Sequence, residues 1–266
     1  MYRLGWFSTG RDEAARQLLS AAHDAIKSGD IKAGIDFVFL SREPGESAES
    51  DRFIELVRGL GLPLVCHSYQ KFKAGRTLAE SPGLPEWRLA YDREVMERLK
   101  AFQPDLCVLA GYMLIVGPEM CREYDMINLH PAAPGGPTGS WQEVIWRLME
   151  NRAEETGVMM HLVTPELDRG PVATYCTFTL RGNPFEPYWR ALKGKDVASI
   201  KKTQGEANAL FRLIRQHGLK REFPLILATI RAFSQGRIRI EKSQILDQNG
   251  KVIPGYNLTR EIDRAI

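Results

Sequence analysis

The sequence predicts an α/β protein: an open, mostly parallel twisted sheet flanked by helices, with an antiparallel edge and a short C-terminal hairpin extension. Three observations carry this. Apolar runs of strand length alternate with stripes of helical spacing from the first residues up to His130. The runs are apolar on both faces, as buried parallel strands are, and right-handed crossovers join such strands. Later, residues 158–163 and 173–180 are two strand-like runs without a full helix between them, which fits an antiparallel hairpin on the sheet edge.

Taken in order, residues 2–7 form the first strand and Ser8-Thr9-Gly10-Arg11 the turn after it. Asp12 suits a helix N-cap, and Leu18, Leu19, Ala22 and Ile26 stripe the helix that follows. Strand, small-residue turn and helix N-terminus together offer backbone N–H groups to a phosphate. A plain connection fits as well, and Arg11 tilts the reading toward an anion. Residues 35–40 are the second strand; Phe53, Leu56, Val57 and Leu60 stripe the next helix, and residues 64–66 a short third strand. Residues 68–88 are polar, with Gly75, Pro82, Gly83 and Pro85, and read as an exposed loop with room for one helical turn. A helix is expected from Tyr91 through Val95, Met96 and Leu99, then a strand over residues 105–110.

Gly111-Tyr112-Met113-Leu114-Ile115-Val116 leaves that strand as an apolar loop, which either walls a ligand pocket or joins the core. A short helix opens at Pro118, and another spans residues 141–149. Residues 183–221 carry the weakest pattern, with one helix through Glu206, Leu210, Leu213 and Ile214. A separate helix over residues 223–233 ends at Gly236, and Asn249-Gly250 signals a hairpin between residues 237–245 and 251–253.

A formal charge of +3 does not point to nucleic acid. The late cluster Lys193, Lys195, Lys201, Lys202, Arg212, Arg215, Lys220 and Arg221 reads first as a solvated face, second as an anion or nucleic-acid contact. Cys66, Cys107, Cys121 and Cys176 lack zinc or disulfide spacing. The first residues lack the apolar core of a signal peptide, and no apolar run reaches membrane-spanning length. A cytoplasmic protein acting on small molecules, without metal or membrane, is the expectation; a homodimer stays open. The turn after the first strand is not a dinucleotide fingerprint, and there is no Gly-x-Ser-x-Gly elbow.

The chemistry gathers in residues 126–170. Asn128 and His130 are two apart on a strand, so they point to one side. Pro131, Pro134, Gly135, Gly136 and Pro137 stop the strand there, and open α/β sheets place their chemistry at such carboxyl ends. Asp168 follows the run ending at Val163, and Gly170 lets the loop turn. An amide, an imidazole and a carboxylate can polarise a carbonyl, hold an oxyanion and manage a proton. Each has a plainer alternative: a satisfied strand-end histidine, a turn asparagine and a turn aspartate. His161 reads as structural.

These residues resemble the folate-dependent formyltransferases. The resemblance rests on Asn128-Leu129-His130-Pro131, on Asp168-Arg169-Gly170, and on residues 104–113, which look like the family's strand and folate-lining loop. Ser8-Thr9-Gly10 lies at the family's phosphate turn, and residues 223–237 resemble its C-terminal helix. The resemblance implies a Rossmann-like catalytic domain over residues 1–182, an insertion over 183–221, and a helix and hairpin over 222–266 completing the same domain.

It implies formyl transfer from 10-formyltetrahydrofolate, as co-substrate, to a primary amine, first of all 5-phosphoribosylglycinamide of purine synthesis. Another amine, on a nucleotide sugar or an aminoacyl-tRNA, and a non-catalytic folate-binding module are the alternatives. Asn128, His130 and Asp168 would be catalytic. Met113, Leu114, Ile115, Val116, Val163, Thr164, Pro165 and Leu167 would line the folate, and Thr9, Gly10 and Arg11 would meet the acceptor phosphate, with Tyr188, Trp189 and nearby lysines closing over it. The chain departs from the family at Ala132-Ala133-Pro134-Gly135-Gly136-Pro137, at Arg11 and Asp12, and at Leu114, where the family has an arginine. The family's acidic acceptor residue falls near Glu222, out of register.

Overall fold

Parallel strand pairing dominates the first half of the chain. In a computed structural model, which describes residues 1–74 and 84–266, the chain packs as two units, residues 1–128 with 162–170 and residues 129–161 with 171–266.

Unit one alternates strands and helices. Its strands are β1 (Tyr2–Ser8), β2 (Ala33–Leu40), β3 (Leu64–Cys66), β4 (Leu106–Leu109) and the start of β5 (Met126–His130). Its helices are α1 (Glu13–Lys27), α2 (Ala48–Gly59), α3 (Tyr69–Ala74), α4 (Glu86–Leu99) and α5 (Pro118–Glu123). The strands run β5-β4-β1-β2-β3, all parallel. The chain therefore builds outward from β1 to β3, then returns to the other side of β1 for β4. That reversal makes a topological switch point between β1 and β4, where the turns after the two strands flank one crevice.

The central strands are apolar because both faces are covered: Leu4, Trp6, Phe7, Phe37, Val38, Phe39 and Leu40 are fully buried. Gly5 permits the close approach of β2 and β4, since a Cβ there would lie 2.7 Å from both Cys107 Sγ and Phe37 Cζ. Asp12 caps α1, accepting the Ala15 amide at 3.0 Å.

Helix α4 starts at Glu86, five residues before the sequence pattern suggests. Its first turns look polar because Arg88 and Asp92 are charged, yet both are buried against each other at 2.6 Å. The loop expected over residues 68–88 contains α3; residues 75–83 lie outside the described residues.

Unit two holds the end of β5, then α6 (Trp141–Glu150), β6 (Glu155–Leu162) and β7 (Val172–Thr179). Helices α7 (Glu186–Ala191), α8 (Val197–Gln204) and α9 (Ala209–Ser234) follow, then β8 (Ile238–Glu241), β9 (Gln244–Asp247), β10 (Tyr256–Asn257) and α10 (Thr259–Asp263). Strands β6 and β7 pair antiparallel, as expected, and β10 adds to β7 in parallel. Ser140 and Glu143 form a capping box that starts α6 sharply after the glycine-rich loop.

Two sequence expectations fail here. The helices expected on either side of residues 215–222 are one helix of 26 residues, with Pro224 inside it. Proline removes a hydrogen bond and costs about 3 kcal/mol in a helix interior. Burial on both sides offsets it: Leu210, Phe211 and Ile214 before the proline, and Leu225, Ile226 and Ile230 after it. The single run expected over residues 237–245 is broken by an additional hairpin turn at Lys242 and Ser243, whose φ values of 50° and 58° give the primed turn that a two-residue hairpin needs. The hairpin expected at Asn249-Gly250 is present: Leu246 bridges Val252 antiparallel, the Ile253 amide donates to Ile245 O at 2.9 Å, and Asp247 Oδ1 accepts the amides of Asn249 and Lys251 at 2.9 Å each.

Candidate active site

In unit one the site residues gather around the switch point. Asn128 ends the paired part of β5 opposite Leu109, the last residue of β4, and is half-buried. The Val163 amide donates to Met126 O at 2.8 Å, so the segment holding Asp168 runs back beside β5. Asp168 has φ of 57°, a left-handed conformation that aspartate tolerates better than most residues. Gly170 closes this loop: a Cβ there would lie 1.7 Å from Leu162 O, so the backbone leaves no room for a side chain.

The Gly111–Val116 loop is both core and surface. Tyr112 and Val116 are buried, while Met113 and Ile115 are 53% and 43% exposed. Leu114 and Val163 pack from the margin against the cluster that contains Phe7, Leu109 and Tyr112. Leu167, 56% exposed, and Pro165 present further outward surface, with Thr164 half-buried beside them. Of the folate-facing residues inferred from sequence, Met113, Ile115, Pro165 and Leu167 are thus the exposed apolar ones, and Val116 serves the core.

The turn after β1 is tied to this loop. Thr9 donates its amide to Gly111 O at 3.1 Å, and its hydroxyl oxygen accepts the Met113 amide at 3.1 Å and the Ser41 hydroxyl at 3.0 Å. The Gly10 amide donates to Ser8 Oγ at 3.1 Å. Two of the amides that a phosphate would use are therefore engaged internally. Arg11 is exposed, 3.3 Å from the Asp12 carboxylate.

In unit two, His130 is 2% exposed and its Nε2 lies 2.9 Å from Pro137 O. A carbonyl only accepts, so Nε2 carries the proton and a proton exchanged by this ring is exchanged at Nδ1. The loop that supplies Pro137 turns on Gly135 and Gly139, with φ of 74° and 107°, which gives the post-histidine glycines a physical role. The His161 ring stands edge-on to His130, with centroids 6.4 Å apart. Sequence reading assigned His161 to structure alone; the alternation of β6 could have flagged it as sharing an inward face with Met159.

The late segment is mostly structural. Trp189 is buried and donates Nε1–H to Leu180 O at 2.6 Å, so it packs in the unit-two core and is not poised over a ligand; Tyr188 is exposed. Glu222 is bound to Arg215 at 2.6 Å, and the Arg215 guanidinium stacks 4.6 Å from the Trp141 ring. Beside that stack is an open cavity of about 340 Å³, lined by Trp141, Glu206, Phe211, Arg212 and Gln216, which nothing in the sequence pattern announced.

Residues 65–177 match the family model described as formyl transferase. The phosphoribosylglycinamide formyltransferase of Escherichia coli (strain K12) is 34% identical over 161 residues, 58% of this chain and 64% of that enzyme. The match thus spans under two-thirds of that relative's length. Methionyl-tRNA formyltransferase of Thermotoga neapolitana is 29% identical over 42% of this chain and 36% of its own. Among solved structures, glycinamide ribonucleotide transformylase 1 from Symbiobacterium toebii superposes with a TM-score of 0.61 at 22% identity, covering 92% of this chain and 93% of its own. The phosphoribosylglycinamide formyltransferase of Coxiella burnetii gives 0.62 at 18% identity, covering 96% and 98%. At these identities the structures speak to the fold, and they agree with a mostly parallel sheet flanked by helices.

Proposed function

We propose that this chain, similar to formyl transferases over residues 65–177, transfers a formyl group from 10-formyltetrahydrofolate to a primary amine, with 5-phosphoribosylglycinamide as the first acceptor to try. The observation that carries the reading is the grouping at the switch point of unit one. There a half-buried Asn128 ends β5, an outward apolar loop leaves the neighbouring strand β4, and the Val163–Gly170 segment is hydrogen-bonded beside β5. A flat pterin suits exposed Met113, Ile115 and Leu167.

In the reaction the amine nitrogen bonds to the formyl carbon, negative charge grows on the formyl oxygen, and the bond to the folate nitrogen then breaks. Asn128 supplies an N–H to that oxygen. His130, fixed at Nε2 by Pro137, supplies or takes a proton at Nδ1. Asp168 accepts, through water, the proton that the amine loses. Hydrogen bonds that strengthen as charge appears lower the barrier most. Cytoplasmic action on small molecules follows from this reading; among the described residues no helix is long and apolar enough to cross a membrane.

A second reading, a different amine acceptor, is favoured by one observation. The Thr9 and Gly10 amides are already hydrogen-bonded, and the Asp12 carboxylate stands at the same turn, which disfavours a phosphate there. The deciding assay mixes the protein with 10-formyltetrahydrofolate and 5-phosphoribosylglycinamide and follows tetrahydrofolate release against product mass. Formylated product at enzymatic rates supports the first reading. Folate binding without product moves the search to other amines. Absence of folate binding overturns both.

A further inference from the structure

We propose that Asp92 is a positioning residue: it clamps the far end of the strap formed by residues 111–117 and so keeps Met113 and Ile115 turned outward. The inference rests on the reading that this strap faces the folate, but the clamp itself is a property of unit one.

The strap is tied at both ends. Near β4, Tyr112 is buried with its ring edge-on to Phe7 and Phe39, centroids 5.7 and 6.2 Å away. At the other end the Gly117 amide donates to Asp92 Oδ2 at 2.7 Å. The backbone comes down on α4 so closely that a Cβ at Gly117 would lie 2.9 Å from that oxygen and 2.8 Å from Leu89 Cδ2. Asp92 Oδ1 is held by Arg88 at 2.6 Å, and the two residues are 1% and 3% exposed. Arg88 also lies over the Tyr91 ring, 5.2 Å from its centroid.

A buried ion pair is poor at stabilising a fold, because desolvation consumes most of the attraction and apolar replacements do as well. What apolar residues cannot supply is an oxygen at a fixed point for the Gly117 amide. The pair therefore makes sense as a fixed anchor: Arg88 holds Asp92, and Asp92 holds the strap where it leaves for α5.

The test compares two double variants that share the loss of the buried cation. Arg88→Met/Asp92→Asn keeps an oxygen facing Gly117; Arg88→Met/Asp92→Leu removes it. The clamp predicts that the first holds the KM for 10-formyltetrahydrofolate within about twofold, while the second raises it about tenfold, with the amine KM unchanged in both. Amide hydrogen exchange in residues 111–117 should accelerate only in the second. Equal donor KM and equal exchange in the two variants overturn the clamp and leave the pair merely structural. If the unaltered protein turns over no folate, the functional reading fails and exchange alone decides the clamp. If a double variant does not fold, a Gly117 amide exchanging as fast as solvent-exposed amides in the unaltered protein overturns it.

Discussion

The Thr9 hydroxyl oxygen accepts the Met113 amide at 3.1 Å, joining the turn after β1 to the loop that leaves β4. The same oxygen receives the Ser41 hydroxyl, so one buried side chain ties three carboxyl ends of neighbouring strands together. Thr9→Val keeps the shape but strands two donors. Each stranded buried donor costs about 1–3 kcal/mol. We expect the urea midpoint to fall accordingly and Thr9→Ser to recover most of it. A valine variant as stable as the parent would show that the bond has no energetic weight.

Gly170 and Asp168 separate backbone from chemistry in a single loop. Gly170→Ala puts a methyl group 1.7 Å from Leu162 O, so the loop must move and the protein should lose about 2–4 kcal/mol. Asp168→Asn is different, because asparagine tolerates the left-handed backbone at φ of 57°. Its thermal midpoint should stay near the parent's while transfer drops about 100-fold, the scale of a lost proton-handling group. Thermal melts beside single-turnover rates distinguish the two; an Asn variant with full turnover removes Asp168 from the mechanism.

Much of this was legible in sequence, for identifiable reasons. The strands of unit one were readable because burial on both faces leaves continuous apolar runs, as in Phe37-Val38-Phe39-Leu40. Asn128 and His130 stood out as candidates because a polar pair at the end of an apolar strand, stopped by prolines, breaks the apolar pattern of the sheet. Helix α4 began too late in the reading because its buried Arg88–Asp92 pair looks like surface. The long helix α9 was cut in two because Pro224 is locally forbidding and only tertiary burial, invisible along the chain, overrules it. The hairpin at Asn249-Gly250 was readable from its turn residues, and the extra turn before it was not, because Lys242 and Ser243 adopt positive φ without the residues that favour it.

Asn128 and His130 should differ in how they fail. Asn128→Ala removes a hydrogen-bond donor that matters only as charge develops, so kcat should fall about 100-fold with donor KM nearly unchanged. His130→Ala also frees Pro137 O, to which its Nε2 is bound at 2.9 Å, and opens a void in a buried position. Turnover should fall at least about 1000-fold with a measurable loss of stability. Steady-state kinetics with a folding control checks both, and His130→Ala turning over at the parental rate would end the proposed chemistry.

His67 gives the pH dependence of stability a local handle. Its ring stacks on Tyr91, centroids 4.9 Å apart and planes within 6°, and Phe72 closes one edge. Burial, with Arg98 adding repulsion, holds the imidazole below its ordinary value. A depressed histidine binds its proton more readily in the unfolded chain. Its contribution to stability is therefore complete above the unfolded value, about 6.5, and is lost as pH falls toward the folded value. His67→Phe preserves the stack and cannot titrate. The difference in urea midpoint between about pH 8 and about pH 5 should then be smaller in the variant than in the parent. An identical difference in the two proteins would mean that His67 titrates alike folded and unfolded, and the acid sensitivity would have to come from elsewhere in the chain.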